Sequence, residues 1–163
     1  MQKRFEIRQF RETDLDQVVD INRRCLPENY SRIFFLELYK RFPSLFQVAV
    51  MKRGVIGYAL CRIELGFPDL GHIGFLTKKG HLVSIAVLKN HRRKGVGILL
   101  MKNVMKAMEE YNAKECFLEV RVSNRSAILM YEKLGFVDKK RLPGYYRDGE
   151  DAFMMTRSLP YEG

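Results

Sequence analysis

The fold of this chain is decided by the stretch Gly80-His81-Leu82-Val83-Ser84-Ile85-Ala86-Val87-Leu88-Lys89-Asn90-His91-Arg92-Arg93-Lys94-Gly95-Val96-Gly97-Ile98-Leu99-Leu100. Its first part is a β-rich apolar run that ends at Leu88, and a basic loop follows. Two glycines, Gly95 and Gly97, then open a segment with helical periodicity. The stretch therefore predicts a strand, a basic loop and a helix start in immediate succession.

The predicted helix start is a site for an anion. The N–H groups of a first helical turn have no intrahelical partner, and the helix dipole is positive there. Gly95 and Gly97 carry no Cβ, so a diphosphate can approach this backbone closely. Positive charge is added at the same place by Arg92, Arg93 and Lys94.

Two other phosphate-binding motifs are excluded. A dinucleotide fingerprint needs a third glycine where this chain has Leu100, and no Gly-Lys-Ser/Thr closes the loop as a P-loop requires. From these residues alone, a solvated basic turn before a helix remains the alternative to a diphosphate site.

Length and composition predict one globular domain over residues 1–163, with 47% hydrophobic and 29% charged residues. No apolar run approaches the roughly 20 residues of a membrane span, and the basic N-terminus lacks the apolar region of a signal peptide. The spacing of Cys25, Cys61 and Cys116 is typical of core cysteines rather than of a disulfide framework or a zinc site. We therefore expect a cytoplasmic protein without a membrane partner or a functional metal.

The formal net charge of +10 bears on the partners of the chain. Such an excess suits an anionic ligand, an anionic scaffold such as a ribosome, or nucleic acid. Much of it is spread along the chain, so solubility explains it as well. A ribosome partner is left open, and no specific nucleic-acid partner is predicted.

The rest of the chain predicts a mixed α/β sheet. Strands are expected at 5–10, 46–52, 55–65, 81–88, 115–122, 136–140 and 152–158, and helices at 13–25, 32–41, 95–111 and 124–134. Thr13 is expected to cap the first helix. The helix between strands 81–88 and 115–122 makes those two strands parallel, with a right-handed crossover, while the hairpins are antiparallel.

Two motifs in this order resemble the GNAT (GCN5-related) N-acetyltransferases. Residues 92–97 match the Arg-x-x-Gly-x-Gly of that family's coenzyme A pyrophosphate loop. Residues 124–136 match its Asn-x-x-Ala-x-x-x-Tyr-x-x-x-Gly-Phe. The resemblance covers nearly the whole chain and implies the GNAT acyl-CoA N-acyltransferase fold, a mostly antiparallel sheet with a central parallel β-α-β pair.

Four dispersed segments resemble one branch of the family, namely the catalytic subunit of the N-terminal acetyltransferase A complex and its single-chain archaeal relatives. These segments are 26–30, 80–87, 118–125 and 145–152. The resemblance implies transfer of acetyl from acetyl-CoA to protein N-termini, by direct attack of the amine in a ternary complex.

The resemblance also implies roles for particular residues. Asn124 contacts the pantetheine arm, and Tyr131 is the general acid for the leaving thiolate. A backbone N–H near Val87 polarises the acetyl carbonyl. The peptide groove is formed by Glu28, Tyr30 and Tyr146. The full set expected around acetyl-CoA is Ile85, Ala86, Val87, Arg92, Arg93, Lys94, Gly95, Val96, Gly97, Ile98, Asn124 and Tyr131.

Three residues are candidates for the base, and the sequence does not choose between Glu28, His81 and Glu119. Glu119 lies within an otherwise buried strand, where a carboxylate is costly unless it is paired or functional. His81 begins the neighbouring parallel strand, so the two side chains are expected to reach a common water. Two ligands make a poor metal site, so no metal is predicted there.

Two rival functions are weighed against N-terminal acetylation. The first is acetylation of a lysine side chain or a polyamine, and a polyamine would need a pocket with several carboxylates. The second is a basic RNA- or ribosome-binding module that has lost catalysis. Loss of Gly95, Gly97 or Tyr131 would indicate such a module, and all three are present.

Overall fold

The computed structural model describes residues 4–70 and 75–162. Its strands are β1 (Glu6–Gln9), β2 (Phe46–Met51), β3 (Gly54–Gly66), β4 (Thr77–Val87), β5 (Glu115–Arg121), β6 (Val137–Leu142) and β7 (Ala152–Ser158). Its helices are α1 (Leu15–Cys25), α2 (Arg32–Arg41), α3 (Val96–Glu109) and α4 (Arg125–Lys133).

The strands form one sheet of seven, in the order β1-β2-β3-β4-β5-β7-β6. Among the described residues, β4 and β5 are the one parallel pair, and every other neighbouring pair is antiparallel. The connection between β4 and β5 runs through α3, as a parallel pair requires. The predicted fold class is confirmed.

Helices cover both faces of the sheet, because each has an apolar stripe to bury. On α3 the residues Leu100, Val104 and Met108 recur at helical spacing and are fully buried. They belong to a core with α4 and the central strands, whereas α1 and α2 pack into a second core. Over residues 4–70 and 75–162, no helix combines the length and the apolar character that crossing a membrane requires.

Most predicted elements are confirmed, with two differences that tertiary contacts explain. Strand β4 begins at Thr77 and not at His81, because its first residues pair with Ile63–Gly66 of β3. Residues 77–80, which lie between the strands predicted at 55–65 and 81–88, are therefore strand as well, and residues 71–74 lie outside the described residues. Thr13 does not cap α1; it lies in a 3-10 turn, and the helix begins at Leu15.

The turn before α1 is held by a buried ion pair instead of a cap. Asp14 accepts two hydrogen bonds from the Arg8 guanidinium, at 2.8 and 2.9 Å, and one from the Arg11 N–H at 2.8 Å. Burial raises the pKa of the Asp14 carboxyl, but these hydrogen bonds outweigh burial and the net pKa is lowered. The pair therefore ties β1 to the start of α1 in its charged form.

We expect Asp14→Asn to lower the free energy of unfolding at pH 7 by about 1–3 kcal/mol, since a buried charge-assisted bond is lost. Because the folded pKa is lowered, this stability is present above the ordinary pKa of the carboxyl and is lost as pH falls through the folded value. Urea unfolding at pH 7 and at a series of acidic pH values should show the difference shrink as the pH falls. The control Asp20→Asn removes an exposed pair with Arg24 and should change little at any of these pH values.

Candidate active site

The site begins where β4 and β5 separate. The two strands pair over only three residue pairs, Lys79–Glu115, Gly80–Cys116 and His81–Phe117. Beyond His81, β4 continues along β3 but carries a β-bulge, because Leu60 is opposite Ser84 while Cys61 is opposite Leu82. Val83 is the extra residue, and a bulge of this kind bends its strand. The parallel strands therefore open into a wedge.

The backbone of Val87 faces this wedge. Leu88 donates its N–H to the Ile56 carbonyl at 2.8 Å, so the adjacent pair Val87–Gly57 is of the type that exchanges no hydrogen bonds. The N–H and C=O of Val87 consequently point away from β3. Such an N–H can donate to an oxygen that develops negative charge.

The start of α3 lies beside the wedge. Gly95 precedes the helix with φ of +82°, a left-handed conformation that glycine adopts without strain, and a Cβ there would meet nothing within 4 Å. A Cβ on Gly97, in contrast, would approach the Met130 sulfur to 3.0 Å. Gly97 therefore also allows α3 to pack against α4, a role that the sequence motif does not indicate.

The basic loop is partly tied to the backbone. Arg92 donates from Nε to the Val87 carbonyl at 2.8 Å, which holds the loop against the end of β4. Lys94 donates to the Asn90 carbonyl at 3.2 Å and does not line the cavity described below. Arg93 is exposed and does line that cavity.

Helix α4 presents Asn124 and Tyr131 to the same opening. Asn124 is the N-cap residue, and its side-chain oxygen accepts the Ala127 N–H at 3.2 Å. Tyr131 is 4% exposed, and burial raises the pKa of its phenol. Both residues line the cavity, so the seven-residue spacing does bring them to one side of the helix.

A single cavity of about 1100 Å³ joins these parts. It contains the residues expected around the base, the peptide and the cosubstrate, except Lys94. These lining residues are Glu28, Tyr30, His81, Ile85, Ala86, Val87, Arg92, Arg93, Gly95, Val96, Gly97, Ile98, Glu119, Asn124, Tyr131 and Tyr146.

His81 and Glu119 are in direct contact within the cavity. His81 Nε2 lies 2.8 Å from Glu119 Oε2, where the sequence predicts a shared water. The His81 ring also stacks on Phe117, with ring centroids 4.3 Å apart. The parallel register places His81 beside Phe117, so Glu119 follows one step further along the same face of β5.

Glu28 is held by Arg121, a residue that the sequence reasoning passed over. Arg121 Nη2 donates to Glu28 Oε1 at 2.6 Å, while Nη1 contacts Asp148 and Glu150, both at 2.9 Å. Its guanidinium also lies 4.1 Å from the centre of the Tyr146 ring. Burial lowers the pKa of Arg121, but the carboxylates outweigh it and raise the pKa overall. Arg121 thus joins the loop before α2 to the loop before β7.

Three tyrosines surround these carboxylates. Tyr30 stacks on Phe34 with centroids 4.7 Å apart, and Tyr145 contacts Tyr146 edge to face at 5.0 Å. Burial raises the pKa of Tyr30 and of Tyr146, and the negative charge of Glu28 raises both further. Burial, then Glu119, raises the pKa of Tyr145 to about 12. The phenols therefore remain neutral donors.

Asn22 is a second residue that the sequence reasoning missed. It is fully buried in α1, donates to the Glu28 carbonyl at 3.1 Å and accepts the Tyr30 N–H at 3.1 Å. Its amide also donates to the Tyr58 hydroxyl at 3.0 Å, which contacts Ser84 at 2.7 Å. The signal was an asparagine within an apolar stripe, since a buried amide needs partners.

A parallel pair that opens beside a glycine-bounded helix start is the arrangement that the resemblance implied for an enzyme that moves an acyl group from a thioester to an amine. Residues 15–136 match the model of the acetyltransferase (GNAT) family. The chain belongs to this family.

Named relatives agree with this assignment. An N-alpha-acetyltransferase of Sulfurisphaera tokodaii is 52% identical over 96% of this chain and 95% of its own. The structure of Ard1 from Thermoplasma volcanium covers 97% of this chain and 99% of its own, with 30% identity and a TM-score of 0.82. Chaetomium thermophilum Naa20, solved with a bisubstrate analogue, covers 94% and 86%, with 31% identity and a TM-score of 0.81. The predicted family is confirmed.

We expect Asn22→Leu to lower the free energy of unfolding by about 2–4 kcal/mol, because several buried groups lose their partner at once. The displaced Glu28–Tyr30 backbone should also raise KM for a peptide substrate several-fold and leave KM for acetyl-CoA unchanged. Thermal unfolding and steady-state kinetics measure the two effects. The same change at Asn103, which is exposed on α3, is the control. Equal effects at both positions would refute the positioning role of Asn22.

Proposed function

We propose that the chain is a protein N-alpha-acetyltransferase that transfers acetyl from acetyl-CoA to the α-amino group of protein N-termini. The observation that carries this proposal is the wedge between β4 and β5. Its wall offers the Val87 N–H, with His81 and Glu119 at its narrow end and the start of α3 at its mouth. The reaction is direct attack of the amine in a ternary complex. Cys61 and Cys116 are fully buried and do not line the cavity, and Cys25, which does line it, donates its thiol to the Val87 carbonyl at 3.8 Å.

The residues around the mouth fit the cosubstrate. The first N–H groups of α3 and the side chain of Arg93 hold the diphosphate, because unpaired amides and a cation converge there. The space beside Gly95 is open to a phosphate. Asn124 contacts the pantetheine arm, and the Val87 N–H polarises the acetyl carbonyl. Acetyl-CoA supplies an activated acyl group, so the chain only has to bind and orient it and to move protons.

Proton transfer needs only a weak base. An α-amino group has a pKa of about 7.7–8.0, so roughly a tenth of it is already neutral at pH 7. A lysine, with a pKa of about 10.4, costs about 3 kcal/mol more to deprotonate. His81 and Glu119 together take the amine proton, directly or through a water. Glu28 holds the incoming ammonium, because its carboxylate is already fixed in place by Arg121.

Tyr131 supplies the proton of the leaving group. Its phenol lines the cavity on the α4 side, and burial raises its pKa. It therefore keeps its proton over the pH range in which the amine becomes neutral. Donation of that proton to the departing thiolate makes the sulfur a better leaving group.

The charges of the cavity favour a single amine over a polyamine. Two carboxylates line the cavity within the described residues, Glu28 and Glu119. Glu28 is paired with Arg121, and Glu119 contacts His81. A polycation would need further carboxylates along its length. Tyr30 and Tyr146 instead offer flat, hydrogen-bonding walls for a peptide backbone.

Domain extent, location and partners complete the proposal. Residues 1–163 act as one acetyltransferase domain in the cytoplasm, where nascent chains present their N-termini. The net charge of +10 supports an association with the ribosome. Small first residues such as Ser and Ala fit most easily between Tyr30 and Tyr146.

A peptide pair tests the proposed substrate. One peptide has a free N-terminus and an internal lysine, and its partner is the same sequence with a blocked N-terminus. We expect kcat/KM to be about a hundredfold higher for the free form, with mass spectrometry placing the acetyl group on the α-nitrogen, because the amine is that much more available. Comparable rates on the two forms would refute N-terminal acetylation.

A variant extends this test to the groove. Glu28→Gln combined with Tyr30→Ala should lower kcat/KM for the free peptide while acetyl-CoA binding, followed by calorimetry, stays unchanged. A double variant with full kcat/KM would mean that the peptide binds elsewhere.

The cosubstrate loop gives a separate prediction. Arg93→Glu reverses a charge at the mouth of the cavity, so KM for acetyl-CoA should rise about tenfold and kcat at saturation should change little. The effect should shrink at high salt. Lys114→Glu makes the same reversal at an exposed position before β5 and serves as the control. Equal affinity of the Arg93 variant and the wild type, measured by calorimetry, contradicts the diphosphate assignment.

A further inference from the structure

One arginine of the cavity has hydrogen-bond donors that no described residue uses. Arg62 lies on β3, directly opposite His81 in the antiparallel register, and its side chain lines the cavity and is 35% exposed. Its Nε donates to Glu64 Oε1 at 3.0 Å, and Glu64 does not line the cavity. Within residues 4–70 and 75–162, neither Nη1 nor Nη2 of Arg62 makes a hydrogen bond. The bond to Glu64 therefore fixes the guanidinium and leaves its outer nitrogens available to a ligand.

Other arginines around the cavity are placed differently. Arg121 contacts three carboxylates, and Arg92 donates to the Val87 carbonyl, so both are already held by the protein. Arg147 lines the cavity but is exposed on the loop before β7. Arg62 thus combines a fixed side chain with unused donors, one strand away from the candidate base.

The charge of Arg62 lies near the walls of the proposed peptide groove. Burial raises the pKa of Tyr30, Glu28 raises it further, and Arg62 opposes this rise. Burial and Glu119 likewise raise the pKa of Tyr145, and Arg62 again opposes the rise. A single charge acts on both phenols because it is close to both, since screening in solvent weakens charges more than about 10 Å apart.

We propose that Arg62 is a specificity-determining residue that binds a carboxylate side chain at the second or third position of the substrate peptide. The inference rests on the proposed function and extends it from the amine to the residues behind it. An extended chain advances about 3.3 Å per residue, and neighbouring strands lie about 4.8 Å apart. A peptide whose amine lies at His81 and Glu119 therefore brings these positions within reach of Arg62. Two N–H groups on a planar guanidinium match the two oxygens of a carboxylate.

The charges of the cavity favour an acidic over a basic side chain at this place. The ammonium of the peptide lies at Glu28 and a carboxylate behind it lies at Arg62, so each charge meets its opposite. A lysine at the same position would place two cations side by side, which selects against basic substrates. Glutamine has one acceptor oxygen and no charge, so it gains less than glutamate from the same donors.

A set of peptides that differ at one position tests this preference. Each peptide begins with Ser and carries Glu, Gln or Lys at the second, third or fifth position. We expect kcat/KM to be roughly fivefold higher for Glu than for Gln at the second or the third position, because a partly exposed ion pair contributes on this scale. The difference should shrink at high salt and be absent at the fifth position. Equal rates for Glu and Gln at both near positions would overturn the proposal, as would the same preference at the fifth.

Variants test whether Arg62 is the residue responsible. Arg62→Gln should bring the ratio of Glu to Gln rates to about one, and this ratio cancels any general loss of activity that follows from freeing Glu64. Arg62→Glu should invert the preference so that Lys is favoured, a result that unfolding cannot produce. Arg23→Gln, an exposed change outside the cavity, is the control and should keep the wild-type ratio. Loss of the preference in Arg147→Gln to the same extent as in Arg62→Gln would indicate a general field and overturn the assignment.

Peptide binding separates this inference from the proposed reaction. Calorimetry in the presence of coenzyme A measures the affinity for the Glu and Gln peptides without turnover. We expect the wild type to bind the Glu peptide roughly fivefold more tightly and Arg62→Gln to bind both equally. A wild type that shows this binding preference but acetylates no free peptide would refute the proposed function alone. A wild type that binds and acetylates the two peptides equally would overturn the role of Arg62 alone.

Discussion

The early separation of β4 from β5 is the constraint on which the rest of the site depends. Parallel strands in a sheet normally remain paired, yet here pairing ends at His81–Phe117 and a bulge at Val83 bends β4 away. Three consequences follow from this one departure. The amide of Val87 loses a strand neighbour, the start of α3 comes to the mouth of the wedge, and His81 and Glu119 meet at its narrow end. A regular sheet would have filled the position proposed for the thioester.

Two polar networks fix the loops that complete the wedge. One is centred on Asn22, which is fully buried, and the other on Arg121, which is half-buried. Asn22 connects α1 to the backbone of Glu28 and Tyr30. Arg121 connects the Glu28 side chain to the loop before β7. Because a buried amide is costly without its partners, and a guanidinium that contacts three carboxylates is fixed in place by them, each network favours one loop conformation over its alternatives. The loops proposed to bind the peptide are therefore positioned by polar contacts, whereas the helices are positioned by apolar packing.

The sequence predicted those parts whose signal is local. The order of elements follows from periodicity, and the Arg92–Gly97 loop and the Asn124–Tyr131 pair follow from short spacings in the sequence. The site residues predicted in these two motifs line the cavity, except Lys94. The contact between Arg121 and Glu28 joins residues 93 apart, and no local pattern carries it. The sequence also placed the start of β4 too late, because pairing with the distant residues of β3 determines where β4 begins. The prediction that Thr13 caps α1 was wrong, because the ion pair between Arg8 and Asp14 holds the turn before that helix.

The distribution of charge explains why one cavity suits both a polyanion and an ammonium. At the mouth, Arg93 is exposed and the amides of α3 face outward, so the field there is positive. At the narrow end, Glu28 is paired with Arg121, and Glu64 and Glu119 flank His81. Each of these carboxylates already contacts Arg121 or His81. This part of the cavity therefore accommodates one added positive charge and not several. A terminal amine that loses its proton near neutral pH meets those conditions with the least work, because the flanking carboxylates need to stabilise only one transferred proton.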